Sequence, residues 1–361
     1  MKGRPQREIT ESKPLLDAKG NLTEVGYSKK LIQKYDKRAI KTSRLRLKEW
    51  DYYYVGNEHY GVALTIADNG YMGLDSISFL MFDKALRGLD VPGKLAMPWE
   101  ITKSPMKALT LGCACLPETS EEGISESMGR GYRICFEATK EKKHLMAYME
   151  NFKYGQTLEL DIELNHIPEE SMVICTPFEK DAHFYFNQKV NCMRASGFVK
   201  IGFDIYQFNE DDSFGLLDWG RGVWTYHNTW YWGSASGLVD GHDFGWNIGY
   251  GFGDTSAASE NMLFYDGKAH KISEVKFNIP GEEWGECRFT DEPWTFTSDD
   301  DRFRMVFEPV LDRASCTDIK LIKSDQHQVF GKFTGWAVLD DGTKINVKDF
   351  FGFAEKVENK W

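Results

Sequence analysis

From Trp50 onward, apolar positions recur mostly at every second residue rather than every third or fourth. The plainest case is QTLELDIELN, residues 156–165. Leu158, Leu160, Ile162 and Leu164 fall on one side, and Glu159, Asp161 and Glu163 on the other. Such alternation predicts a strand with one dry face and one wet face. RICFEATKEKKHLMAYMEN reads as a hairpin with a charged tip, and HFYFNQKVNCMRASGFVKIGFDIYQFN as strand, turn, strand. Asn69-Gly70, Asp266-Gly267 and Asp341-Gly342 each interrupt such runs. These dipeptides predict tight hairpin turns, because both central residues of a type I′ turn need positive φ. Between the strands no segment carries a ten-residue helical period, which argues for antiparallel pairing and against βαβ units.

One helix is predicted, in TEVGYSKKLIQKYDKRAI, where Leu31, Ile32 and Tyr35 share a face opposite lysines. A chain of 361 residues fits two ordinary domains. The expected fold is therefore all-β: two tandem antiparallel barrels or sandwiches behind a short helical arm. Residues 1–48 would be the arm, 49–192 the first β-domain and 193–361 the second, which contains the Trp-rich segment.

Charge sharpens this division. Residues 1–48 hold 14 Lys/Arg against 5 Asp/Glu, whereas the rest holds 30 against 50. An acidic body argues against a nucleic-acid partner, and the basic arm is expected to lie on that body. The opening MKGRPQREITESKPLL has no apolar core of a secretory signal. Nor does any run of about eighteen apolar residues predict a membrane span. Cytoplasmic residence is the expectation. Seven Cys without a disulfide framework agree with it. Cys113 and Cys115 form a C-x-C pair, but no second pair completes the four ligands of a structural zinc site. No metal and no cofactor are predicted: the chain lacks a Walker loop, a dinucleotide fingerprint, G-x-S-x-G and H-E-x-x-H.

Candidate chemistry concentrates in GLLDWGRGVWTYHNTWYWGSASG, which carries four of the eleven Trp. If Tyr226 to Trp232 is a strand, Tyr226, Asn228, Trp230 and Trp232 share a face suited to a partly apolar ligand. Trp219, Trp224 and Arg221 add to the proposed binding set. Asp218 lies three residues before Arg221. One reading makes them an ion pair that staples a loop. The other makes Asp218 a carboxyl in an aromatic pocket, where low dielectric raises its pKa and suits it to general-acid work. Glu260 is the candidate second carboxylate, and Asp254 an alternative that also reads as a turn. His327, flanked by two Gln, is either a structural histidine or a proton carrier. GWNIGYGFG lacks the following helix start of a phosphate loop. SDDDR at 298–302 has too few alternating ligands for a calcium loop.

The segments LLDWGRGVWTYHNTWYWGSASG, GWNIGYGFGD, SENMLFYDGKAHKI, QHQVFGKFTGWAVLDDG and DFFGFAE resemble bacterial domain-of-unknown-function family 2804 over nearly the whole chain. More loosely, the closing H-Q-x-F-G, D-G turn and Gly-aromatic strand resemble the lipocalin-like carotenoid hydratase (hydroxyneurosporene synthase) group. The first resemblance implies no activity. The second implies two lipocalin-like barrels and protonation of an alkene followed by hydration or cyclisation. Together with the residues, this gives an expectation of acid–base chemistry of hydratase, cyclase or lyase type on a small, partly apolar molecule. Asp218, Glu260 and His327 would be its catalytic groups. A carbohydrate-active enzyme with paired carboxylates and Trp stacking, and a non-catalytic carrier or sensor, are the alternatives.

Overall fold

The computed structural model describes residues 3–83, 97–108, 114–318 and 323–360. Cys113, and with it the C-x-C pair, lies outside the described residues. Strands dominate throughout. The helical turns among the described residues are three-residue 3-10 segments, Lys37–Ala39, Arg44–Arg46 and Glu282–Trp284. None of the described helices is long and apolar enough to cross a membrane.

The strands form two sheets, one of fourteen strands and one of nine, and their ladders are antiparallel. At the middle of the first sheet, Phe214–Val223 lies between Leu47–Gly56 and Phe184–Ile201. At the middle of the second, His227–Val239 lies between His242–Tyr250 and Lys344–Lys360. The Trp-rich segment is thus the crossover: its first half belongs to one sheet and its second half to the other. The sheets divide at residues 224–226, with Phe184–Ile201 and Phe214–Val223 both in the first sheet.

Each sheet encloses an apolar core of its own. Leu64, Phe79, Phe136, Ile162, Phe186, Leu217 and Trp219 belong to the first, and Phe244, Trp246, Phe277, Trp294, Phe307 and Phe333 to the second. Leu158, Leu160, Ile162 and Leu164 all face inward, as their alternation predicts. Two further clusters fill the space where the outer faces of the sheets meet. Tyr185, Trp224 and Phe252 belong to one, and Tyr52, Tyr54, Leu216, Trp232, Phe330 and Phe353 to the other. The architecture is all-β and antiparallel.

The predicted turns lie where the dipeptides place them. Asp266 and Gly267 both have positive φ, 45° and 77°, as a type I′ turn requires. At Asn69-Gly70 and Asp341-Gly342 only the glycine does, so those turns are of another type.

The helical arm is not borne out. Gly26–Ser28 is instead a short strand paired with Met172–Pro177. The arm is tied down by long-range backbone bonds, such as Ile9 N–H to Tyr27 O at 2.6 Å and Leu15 N–H to Lys34 O at 2.9 Å. These use up the groups a helix would pair locally. They let Ile9, Leu15, Leu16 and Tyr35 reach the first core. The arm's charges meet the body, with Arg4 ion-paired to Glu274 and Lys29 3.7 Å from Glu170.

Candidate functional site

Residues directly opposite each other in neighbouring strands project from the same face of a sheet. Register alone therefore builds two rows. Lys189, Asp218 and Tyr52 are cross-strand neighbours in the first sheet. Trp232, Glu355, Gln328 and Arg313 are neighbours in the second. The two rows meet between the sheets. Lys189 Nζ lies 3.8 Å from the Trp232 ring centroid, the Tyr52 hydroxyl donates to Gln328 Oε1 at 3.4 Å, and Arg313 Nη1 donates to Ser78 Oγ at 3.3 Å.

Asp218 is held from two sides. Lys189 Nζ is 2.8 Å from its Oδ2, and Asn187 Nδ2 donates to its Oδ1 at 2.6 Å. It does not pair with Arg221. The two lie in one strand, Phe214–Val223, and an odd spacing in a strand sends side chains to opposite faces. Arg221 points into the first core, where it donates to Asp51 Oδ1 at 3.0 Å and to three carbonyls, those of Trp50, Gly220 and Pro117. Trp219 shares that inward face, 4.3 Å from the guanidinium. Neither Arg221 nor Trp219 belongs to the inter-sheet site.

Glu355 faces Asp218 across the interface. Its Oε1 accepts from Trp230 Nε1 at 2.8 Å and its Oε2 from Gln328 Nε2 at 3.0 Å. Burial pushes this carboxyl up to about 7. The Trp230 hydrogen bond and the charges of Lys189 and Arg313 oppose that rise, and the charge of Asp218 adds to it. Burial likewise raises Glu260, again with Lys189 opposing and Asp218 adding. The strand beside Glu260 is bare at Gly249, where a β-carbon would lie 2.7 Å from Glu260 Oε1. Burial also pushes the Tyr52 phenol up to about 12, so it remains a donor to Gln328.

The aromatic residues are placed by the glycines between them. A β-carbon at Gly220 would collide with the Trp50 ring, and one at Gly222 would lie 2.9 Å from Trp224 Nε1. Trp224 then packs edge-on against Trp50 at 5.2 Å, Trp230 at 5.9 Å and Phe252 at 4.7 Å. Trp230 and Trp232 do share the inter-sheet face, as the alternation predicts, and Trp232 Nε1 donates to Asn247 Oδ1 at 2.7 Å. Tyr226 does not join them. It lies in the crossover, exposed, with the Arg46 guanidinium 5.6 Å from its ring.

His327 projects from the opposite face of the second sheet to its neighbour Gln328. It pairs through Nδ1 with Asp312 at 2.6 Å and stacks on Phe289 at 3.8 Å. The sheet separates it from Asp218. Asp254 caps a turn, accepting from Ser256 N–H at 2.9 Å. Of the three sequence-predicted catalytic groups, Asp218 and Glu260 are brought together and His327 is not. Lys189 and Glu355, which sequence reasoning missed, complete the cluster. A signal exists for Glu355: in DFFGFAEKVENK it continues the face of Phe351 and Phe353, a lone charge on an apolar stripe.

The chain belongs to the family described as domain of unknown function DUF2804, whose sequence model matches residues 6–361. No curated protein matches it. The similar solved structures include these two. CghA with Sch210972 is 8% identical, with 87% of this chain and 88% of that chain covered and a TM-score of 0.49. Kievitone hydratase from Nectria haematococca is 9% identical, with 97% and 98% covered and a TM-score of 0.44.

Proposed function

We propose that this protein is an acid–base enzyme of hydratase, cyclase or lyase type, acting on a small, partly apolar molecule between its two sheets. One observation carries the reading: three buried carboxyl groups lie within electrostatic reach of Lys189 in an aromatic-walled seam, and burial pushes one of them, Glu355, up to about 7. A carboxyl that keeps its proton near pH 7 is a usable general acid.

In this reading Glu355 donates its proton to an electron-rich carbon of the substrate. For hydration, water adds to the resulting cation and loses a proton to Glu260, and solvent returns that proton to Glu355. Asp218, fixed by Lys189 and Asn187, sets the local field and opposes ionisation of both glutamates. Trp230 orients Glu355 through its indole N–H. The face of Trp232 already carries the Lys189 ammonium, so stabilisation of a substrate cation falls to the other rings.

The test is incubation of the purified protein with a panel of small alkenes and polyenes, with mass spectrometry for hydrated or isomerised products. Glu355→Gln is expected to lower turnover at least ~100-fold while ligand binding persists. Full turnover by Glu355→Gln, or ligands that bind and leave unchanged across the panel, would overturn the proposal; the latter result is what a carrier predicts.

A further inference from the structure

The carboxyls of the seam are carried in two ways. Asp218 and Glu355 lie within long strands, whose ladders fix them. Glu260 lies in the connection between the strands His242–Tyr250 and Met262–Tyr265, and residues 251–261 form no strand. A group on a loop is placed less exactly than one on a ladder, so what holds this connection decides where Glu260 sits.

Two of its holds lie within the second half of the chain. At the near end Phe252 is buried, edge-on to Tyr185 and Trp224 at 4.7 Å each and to Trp230 at 5.4 Å. At the far end Lys271 Nζ donates to Ser259 Oγ at 2.8 Å and to the carbonyls of Asn261 and Ile272 at 2.7 Å each. All three ammonium hydrogens are thereby used. Ser259 Oγ and Asn261 Nδ2 both donate to the Ser273 carbonyl, at 2.8 and 2.7 Å. The residues before and after Glu260 are thus pinned on one side.

The third hold comes from the arm, which crosses the connection at residues 4–7. Arg7 N–H donates to Ala257 O at 2.9 Å, and Arg4 Nη2 donates to Thr255 O at 2.5 Å. Ser259 N–H donates to Gln6 Oε1 at 2.7 Å, while Gln6 Nε2 donates to Arg4 O at 3.1 Å. Arg4 is itself seated, with its N–H on Ser273 Oγ at 2.9 Å and its guanidinium paired with Glu274. The other side of the arm belongs to the first sheet: Tyr27 N–H donates to Arg7 O at 2.9 Å, and Tyr27 pairs with the strand Met172–Pro177. Register within one sheet cannot set a distance between two sheets. A segment bonded to both can.

We propose that residues 4–7 are a positioning strap for the seam, and that Gln6, through the Ser259 N–H, sets Glu260 of the second half against Asp218 and Lys189 of the first sheet. This rests on the reading of Glu260 as the base of the seam and names what holds it there. A base that takes a proton from water must keep hydrogen-bond reach of it, and small displacements are costly. The strap also keeps bulk water off. Burial raises Glu260 most, Asp218 adds to the rise, and Lys189, Asn247 and Lys271 oppose it.

The test uses the full chain without substrate. In Gln6→Ala, hydrogen exchange at the Ser259 amide is expected to be at least ~5-fold faster. Water then reaches Glu260, and the midpoint of its ¹³C-carboxyl titration, assigned with Glu260→Gln, is expected at least ~0.5 pH unit lower. Exchange at the Phe333 amide in the second core and the Glu355 midpoint are expected to stay as in the parent, which a general loss of stability would not allow. Gln6→Glu retains an acceptor for Ser259 N–H and is expected to keep its exchange within about twofold of the parent. Unchanged exchange or an unmoved Glu260 midpoint in Gln6→Ala, equal acceleration at Phe333, or lost protection in Gln6→Glu would each overturn the proposal. Glu260→Gln on the alkene panel tests the base separately: full turnover there would sink the role of Glu260 and leave the strap standing.

Discussion

Two buried charge clusters lie back to back on one strand, Phe214–Val223. On its inner face Arg221 and Lys37 meet Glu49 and Asp51, with Asp68 4.0 Å from Lys37. Tyr35 donates to Glu49 at 2.8 Å, and Ser125 donates to Asp51. On its outer face Asp218, Glu260 and Glu355 gather around Lys189, with Arg313 a lesser influence on Glu355. The inner cluster is densely hydrogen-bonded, which is what a structural ion network in a core needs. In the outer one burial outweighs the neighbouring cations and raises both Glu355 and Glu260, which favours a proton kept on a glutamate. Parity along a single strand separates a group buried in the first core from the group of the proposed site.

The largest expected effect lies on the structural side. Arg221→Met strands Asp51 without its buried counter-charge, leaves Glu49 with Lys37 alone, and is expected to lower unfolding stability by about 3–5 kcal/mol, read from urea midpoints at pH 7. A change under about 1 kcal/mol would erase the contrast between the faces.

Next is Glu355. Its folded-state pKa, about 7, lies above the ordinary value of 4.5. Below about pH 4.5 the carboxyl is protonated whether the chain is folded or not, so the group's contribution is fully present there. As pH rises toward 7 the unfolded chain gives up the proton while the folded chain keeps it, and stability falls. Linkage puts the loss at about 3 kcal/mol once pH exceeds the folded value. Glu355→Gln lacks this penalty. Its stability relative to the parent protein is expected to rise between pH 4.5 and pH 8, and a constant difference across that range would break the comparison. The smallest effect belongs to Gly220→Ala, whose β-carbon displaces the Trp50 ring. A cost of about 1–3 kcal/mol is expected, with a change in Trp near-ultraviolet dichroism that reports the inter-sheet cluster.

Much of the fold is legible in local pattern, because local pattern causes it. The alternation of Leu158, Leu160, Ile162 and Leu164 and the turn at Asp266-Gly267 need only neighbouring residues to be read. The arm misleads for the same reason: Leu31, Ile32 and Tyr35 fit a helical stripe, but their burial is against residues far along the chain. The site is half legible. A carboxylate among tryptophans marks Asp218, and the shared face of Trp230 and Trp232 follows from period two. The ion-pair reading of Asp218 and Arg221 fails because it needs a loop at GRG, whereas inside a strand three residues mean opposite faces. The partners of Lys189 and Glu355 are not legible locally, for a different reason. Each meets Asp218 or Trp232 through strand register between segments 29 to 123 residues apart, and register across such distances is set by the tertiary fold.

The central claim, that the inter-sheet seam keeps a proton on Glu355 near neutral pH, is tested most directly by following the side-chain carboxyl carbons of ¹³C-glutamate-labelled protein by NMR as a function of pH. The Glu355 signal is assigned by its loss in Glu355→Gln. The account predicts a titration midpoint near pH 7. A midpoint in the ordinary glutamate range, near 4.5, would contradict it.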